Sequence, residues 1–338
     1  MDADSIITKL QIGHNLSEKE ASDFLLSVFN GNVQTEALKN VLLLLNKKGF
    51  CVDELYGFAK SMRTVSTKVM SEYHIVDNCG TGGDGLSTFN VSTTSSFIAA
   101  AAGTYVAKHG NKAITSSSGS ADVLEQSGVN INLMPGQITE CLKSNHFGFM
   151  FAPLHHASMK HVAAARKLIA PEKTIFNLLG PLTNPANAQA QLIGVFDRNK
   201  MHLIAETLIK LGTKKAMIVH SFDGLDEISI FDETYILEID NAEIKEYTIN
   251  PKNYFETDYT INDIMVNSID ESLKMMLSVF DNIESAALDI CMLNAAALIY
   301  VSDNAKTIDE AINQCKKVLS EKKVKQNFEN FVIKTNGF

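Results

Sequence analysis

His74-Ile75-Val76-Asp77-Asn78-Cys79-Gly80-Thr81-Gly82-Gly83-Asp84-Gly85 is the stretch whose reading decides the fold. A short apolar run, His74 to Asp77, has the form of a strand and empties into a glycine-rich loop. The loop leads through Asn90-Val91-Ser92-Thr93 into Ser92–Ala102, whose small and apolar residues suit a tightly packed helix closed by Gly103. Glycines admit positive φ and let backbone amides approach an anion, and a helix start offers unpaired N–H groups with partial positive charge. Strand, glycine loop and helix together therefore read as an anion cradle. The loop is neither a Walker loop ending in GK[ST] nor a clean GxGxxG. Taken alone such a loop is a weak signal that a tight structural turn also explains, so its neighbours decide.

Upstream, residues 1 to about 70 read as helical. Ile6-Ile7-Leu10, Phe24-Leu25-Val28-Phe29 and Leu38-Val41-Leu42-Leu45 recur at helical spacing. Ser17 followed by Glu20 has the form of a capping box, and Gly31 and Gly49 have the form of helix ends. Downstream, strands and helices alternate. Tyr105–Ala107, Asn130–Leu133, Phe149–Phe151 and Ala216–His220 read as strands. Ala121–Gln126, Pro135–Lys143 and Met201–Leu211 read as helices. Thr234–Ile249 reads as an antiparallel excursion, and the final hundred residues as mostly helical. The expected fold is α/β: a small all-helical domain over 1–71, then an α/β domain over 72–338 with a central, mostly parallel sheet flanked by helices. Ligands of such sheets gather at the carboxyl ends of the strands.

A second polar loop follows the Tyr105 strand. Lys108-His109-Gly110-Asn111-Lys112 brings two cations, and Thr115 to Ser120 brings hydroxyls and amides that can cap a helix or satisfy phosphate oxygens. A third, His220-Ser221-Phe222-Asp223-Gly224-Leu225-Asp226-Glu227, places adjacent carboxylates on a loop. Adjacent acids are commonly just solvated, yet an all-oxygen set suits Mg²⁺ shared with phosphate and water. Asp223 competes for the same role. His155, His156 and His161 lack the acid partner of a zinc-protease motif, and Arg166 reads either as a surface arginine or as a fork for a carboxylate. Gly180-Pro181-Leu182-Thr183-Asn184-Pro185 reads as a rigid turn between domains and not as a ligand site.

Composition sets the outer limits. The chain has 338 residues, 45% hydrophobic and 20% charged, with net charge −9. That charge speaks against wrapping nucleic acid or lying on an anionic membrane, and it obliges an anion site to draw on local cations, amides or a metal. Five scattered cysteines without a CxxC pair suggest neither a disulfide framework nor a zinc site. The opening MDADSIITKL has no signal-peptide texture and no apolar run is long enough for a bilayer, so a cytoplasmic location is expected.

The ordered series GTGGD, NVST, KHGN, SSSGSADVLE, FNLLGPLTNPA and GLDEIS resembles the anthranilate phosphoribosyltransferase family nearly end to end, through the helix of Asn294-Ala-Ala-Ala-Leu. The resemblance implies transfer of a phosphoribosyl group from phosphoribosyl pyrophosphate to anthranilate, dependence on Mg²⁺, and a homodimer paired through the helical domain. It also implies that helices within about 163–185 join that domain. Phosphoribosyl pyrophosphate would then contact Gly80, Gly83, Asp84, Thr88, Asn90, Val91, Ser92, Thr93, Lys108, His109, Gly110, Asn111, Lys112, Ala113, Ile114, Thr115, Ser116 and Ser120. Anthranilate would contact Gly80, Asn111 and Arg166, with His109 and His156 as pocket walls, and Ser92, Asp226 and Glu227 would hold the metal. No single side chain is expected to serve as general base. Lys112 stands where the family often has arginine, Ser117 where it often has a basic residue, and Ala164 where it often has proline. A pyrimidine nucleoside phosphorylase and a non-catalytic nucleic-acid-binding relative are the alternatives. The GTGGD and GLDEIS motifs disfavour the first, and the absence of basic character disfavours the second.

Overall fold

The computed structural model describes residues 3–113, 117–256 and 258–338. It opens with four helices, Ala3–Gln11, Glu18–Phe29, Thr35–Lys48 and Val52–Val65. The capping box forms as expected: Glu20 N–H donates to Ser17 Oγ at 3.3 Å and Ser17 N–H to a Glu20 carboxylate oxygen at 2.8 Å. Gly49 ends the third helix at φ +86°, a conformation that a side chain would strain.

Seven strands follow: β1 Ile75–Asn78, β2 Tyr105–Gly110, β3 Phe147–Phe151, β4 Ala190–Gly194, β5 Lys215–Ser221, β6 Thr234–Asp240 and β7 Glu243–Ile249. They form one sheet in the order β3-β2-β1-β4-β5-β6-β7. The first five are mutually parallel, with Val76 paired to Val106 on one side and to Ala190 on the other. β6 and β7 are antiparallel additions, which bears out the excursion expected at Thr234–Ile249. Their turn is Asn241-Ala242, both residues at positive φ, as a two-residue hairpin demands. The edge strand β7 turns Glu243, Lys245 and Glu246 to solvent, which discourages further strand addition.

Every residue of β1 is buried, as a central parallel strand covered on both faces should be. One face packs against the Val91–Ala101 and Ala286–Val301 helices and a cluster of aromatic rings, where Phe97 lies 4.1 Å from Phe147 and 5.1 Å from Phe328. The Ala286–Val301 helix is apolar on all sides and almost wholly buried, the pattern of a helix at the centre of a core. The other face carries Ile193, Ile218 and Leu237. Their cluster runs on into the N-terminal helices and the chain between Val162 and Leu182. No helix among the described residues is long and apolar enough to cross a membrane.

Asn130–Leu133, expected as a strand, pairs with no other strand. Its alternation is real, since Ile131 and Leu133 are buried. The segment lies beside the C-terminal helix, where Asn130 bonds Thr335 through both its backbone and its side chain. Alternating burial is a property of extended chain, and here the polar atoms of Asn130 are taken by Thr335 and not by a strand.

Candidate active site

The loops after β1, β2 and β5 meet at the carboxyl end of the sheet, because β4 alone separates β1 from β5. Thr81 N–H donates to the Gly194 carbonyl at the end of β4 at 2.8 Å, and Thr81 Oγ1 accepts from Phe196 N–H at 3.1 Å. A methyl group on Gly80 would stand 3.1 Å from that carbonyl and 3.2 Å from Asp226 Oδ2. One on Gly194 would overlap the Asp226 carbonyl outright. The two glycines thus let the glycine loop and the acidic turn close on each other, and Gly194 is a residue of the candidate site that the sequence reading missed. Its signal was a glycine inside the apolar run Leu192 to Phe196.

The acidic turn is held from below. Ile228 N–H donates to Asn294 Oδ1 at 3.0 Å, and Asn294 Nδ2 donates to the Ile228 carbonyl at 2.8 Å. Asp223 is occupied in the turn itself, accepting from Leu225 N–H and Ser229 Oγ, which leaves Asp226 and Glu227 as the pair facing the loop. Burial and the facing Asp84 carboxylate push Asp226 up to about 7, and the two carboxyls share a hydrogen bond. Burial and Asp226 raise Glu227 as well, opposed by Lys108 and by Ser92 N–H at the start of the Val91–Ala101 helix. Acids crowded together this way are short of positive charge. Among the described residues no three His, Cys, Asp or Glu side chains form a metal cage by themselves. Two carboxylates and the Ser92 hydroxyl are an all-oxygen set that suits Mg²⁺, which takes its remaining ligands from water and phosphate.

Lys108 lies inside this arrangement and not in solvent. Its ammonium donates to the Asn78 carbonyl and to Ser92 Oγ at 3.1 Å, and the side chain is buried. Asn90 joins the two polar loops: its Oδ1 accepts from Ser118 Oγ at 2.8 Å and Ser272 Oγ at 2.7 Å, and its Nδ2 donates to the Ser118 carbonyl. Thr88 pairs with Met265, pinning the far end of the glycine loop. Val91 and Thr93 are buried in the first turn of the helix, the Thr93 hydroxyl without a hydrogen-bond partner among the described residues. Gly83 and Gly85 carry positive φ, and the Asp84 carboxylate accepts from Leu86 N–H at 3.0 Å.

In the second loop, a methyl on Gly110 would press on Phe149 and the Ser120 hydroxyl, so the chain passes close beneath the Ser120 helix. Ser120 Oγ donates to the Asn111 carbonyl at 3.3 Å, and Ala113 N–H to Asp122 at 2.8 Å. Asn111 is exposed, its Oδ1 accepting from Lys112 N–H at 2.8 Å. Lys112 pairs with Glu125 at 2.7 Å on the surface, and Ser117 Oγ donates to the Val266 carbonyl. Ile114, Thr115 and Ser116 lie outside the described residues.

On the other side of β2, the rings of His109 and His156 lie 5.1 Å apart. His109 Nδ1 lies 3.2 Å from the Gly180 carbonyl, and the His109 backbone N–H donates to Asp77 Oδ1 at 3.0 Å. Burial lowers His109 to about 3 and His156 to about 4, so both rings are neutral at physiological pH. The Gly180 to Asn184 turn backs onto β2, with Asn184 Nδ2 donating to the Ala107 carbonyl at 2.9 Å. Arg166 stands on the Lys160–Ile169 helix, which runs unbroken with alanine at 164. Its guanidinium lies 5.9 Å from the Phe176 ring, and burial alone lowers it. Among the described residues, no hydrogen bond or ion pair links Arg166 to the two loops. It is a part-buried cation with no carboxylate paired to it among the described residues.

A sequence model of the glycosyl transferase family's helical bundle domain matches residues 4–66, and the model of its a/b domain matches residues 72–323. The chain is 43% identical over 327 residues to an anthranilate phosphoribosyltransferase of Hydrogenovibrio crunogenus, covering 96% of each chain. It is 41% identical to that of Acetivibrio thermocellus, over 98% of this chain and 96% of that one. The crystal structure of anthranilate phosphoribosyltransferase from Thermus thermophilus superposes with a TM-score of 0.92 at 30% identity, over 99% of this chain and 100% of that one. A Saccharomyces cerevisiae anthranilate phosphoribosyltransferase in complex with PRPP and Mg shares the fold, with a TM-score of 0.90 at 23% identity over 99% of this chain and 98% of that one. The chain belongs to the anthranilate phosphoribosyltransferase family of glycosyl transferases.

Proposed function

We propose that this chain transfers the phosphoribosyl group of 5-phosphoribosyl 1-pyrophosphate to the amine of anthranilate, giving N-(5-phosphoribosyl)anthranilate and pyrophosphate. The observation that carries the reading is the meeting of three groups: the glycine loop at Gly80, the Asp226–Glu227 turn and the start of the Val91–Ala101 helix. Amides and a helix N-terminus suit the phosphates. Ser92, Asp226 and Glu227 would hold Mg²⁺, which when bound supplies positive charge toward the departing pyrophosphate. Lys108 offsets the buried acids from beneath and fixes the Ser92 hydroxyl in place.

The chemistry asks little of any nucleophilic side chain. Displacement at the ribose C1 needs charge stabilisation at the leaving group and an amine held close to the sugar. The Arg166 guanidinium supplies paired N–H groups for the anthranilate carboxylate, with Asn111 and Gly80 beside it in this reading. His109 and His156, neutral and buried, serve as pocket walls and not as a resident positive charge. In this reading residues 1–71, with the chain within about 163–185, act as a small domain against the sheet domain of 72–338, and the cleft between them admits the substrates. A homodimer through the helical domain and a cytoplasmic location complete the proposal. All five cysteines are free, which goes with a reducing compartment. Light scattering tests the dimer.

The decisive assay is loss of anthranilate fluorescence with phosphoribosyl pyrophosphate and Mg²⁺, run beside phosphorolysis of thymidine and uridine. Turnover of anthranilate alone is expected, with Asp226→Ala and Glu227→Ala severely impaired. No turnover by the wild type, or variants equal to it, overturns the assignment.

A further inference from the structure

Lys173 belongs by its backbone to the helical side of the molecule and by its side chain to the glycine loop. Its neighbours Ile169, Ile175 and Phe176 are buried in the same cluster as Leu42 and Leu45. Its carbonyl accepts from Asn46 Nδ2, on the Thr35–Lys48 helix, at 2.7 Å. From there the side chain reaches across to the sheet side. The ammonium donates to the Gly83 carbonyl at 2.6 Å and lies 3.3 Å from the centre of the Phe196 ring, just past β4. Gly83, at φ +81°, is packed so closely that an added methyl would stand 3.2 Å from the Lys173 nitrogen. The carboxylates of Asp84, Asp197 and Asp226 also attract the ammonium.

A solvated lysine gives up rotamer freedom to hold such a position, and a flexible glycine loop gives up more. Each orders the other here, because a charge-assisted bond to a carbonyl and a ring face together fix one ammonium position. Resting on the transferase reading above, we propose that Lys173 is a positioning residue, a latch that ties the glycine loop to the helical domain and so holds the loop in the shape that receives phosphoribosyl pyrophosphate. The role is to order Gly82–Asp84 before the substrate arrives, and the carbonyl it grips is on the loop and not on the ligand.

The test measures substrate-free amide exchange of residues 80–86 together with steady-state kinetics, for wild type, Lys173→Met, Lys173→Arg and Asn46→Ala. Lys173→Met keeps the stem over Phe196 and removes the charge. It should speed exchange of the loop and raise KM for phosphoribosyl pyrophosphate about tenfold, the size of one charge-assisted bond, while KM for anthranilate stays within about twofold. Lys173→Arg should restore most of both effects, and Asn46→Ala should shift both in the same direction by less. Unchanged loop exchange in Lys173→Met overturns the latch. So does a fall in kcat with KM for phosphoribosyl pyrophosphate unchanged, which would place the charge in the transition state and not in loop ordering. A wild type that does not turn over anthranilate removes the transferase reading alone, since the exchange comparison requires no substrate.

Discussion

Asn294 brackets Ile228 with both ends of its amide, accepting from the Ile228 N–H at 3.0 Å and donating to the Ile228 carbonyl at 2.8 Å. The asparagine is wholly buried in the largely apolar Ala286–Val301 helix, so these bonds have no competing water. Its effect is to fix the height of the residue that directly follows Asp226 and Glu227. Asn294→Leu strands a buried N–H and C=O, which costs about 1–3 kcal/mol each when unsatisfied. We expect a lower melting temperature and a raised Mg²⁺ requirement, read by thermal unfolding and by activity against Mg²⁺ concentration.

Gly194→Ala places a methyl on the Asp226 carbonyl, and backbone cannot give way as a side-chain tip can. Overpacking of this kind costs about 1–3 kcal/mol, and the acidic turn has to move. Activity should fall far more than stability does. Gly136→Ala is the matched control, because Gly136 is helical with open space around it. That change should stabilise the fold by about 0.5–1 kcal/mol, with activity unchanged. Denaturant melts and the fluorescence assay on both variants separate the two cases.

His156 is buried with its folded value near 4, against about 6.5 for an ordinary histidine. Between those values the unfolded chain takes up a proton that the folded chain refuses, so stability falls as pH drops through this window and is fully present above 6.5. At pH 5 the loss is about 2 kcal/mol. His156→Gln removes this proton uptake from the unfolded state. The stability difference between wild type and variant should therefore shift against the wild type by that amount between pH 7.5 and pH 5, measured by urea unfolding at each pH. A difference independent of pH would show that the ring stays solvated.

Asn90 is the only described residue whose side chain bonds both Ser118 and Ser272. Asn90→Ala releases the second polar loop from the start of the Val91–Ala101 helix. KM for phosphoribosyl pyrophosphate should rise about tenfold or more, with faster amide exchange at 117–120 while the sheet is unaffected. Exchange limited to the helix start would contradict this coupling.

Much of this was legible in the sequence because it is local. The heptad-like apolar spacing of Leu38 to Leu45, the Ser17–Glu20 box and the glycine series at Gly80–Gly85 each act within a few residues. Adjacent acids at Asp226 and Glu227 were legible for the same reason, whereas Asp223 could be set aside only once its bonds to Leu225 and Ser229 were seen. The contacts of Gly194 with Asp226 and of Lys173 with Gly83 join positions distant in sequence, and neither leaves a local pattern. Asn130–Leu133 misled because burial alternates in any extended chain lying on a core. Asn241-Ala242 turns the β6–β7 hairpin without the glycine that usually marks such a turn.

The buried helix Ala286–Val301 has a consequence for how the chain is made. β1 and its glycine loop leave the ribosome early, yet β4 brings Gly194 only much later, and Asn294 later still. The loop therefore precedes its acidic partner by a long stretch of chain, since Asp226 and Glu227 follow only after β5. Contacts of such long sequence separation form slowly. A nascent chain stalled before the Ala286–Val301 helix would carry the glycine loop and both carboxylates, but not the Asn294 bracket that sets the level of the acidic turn.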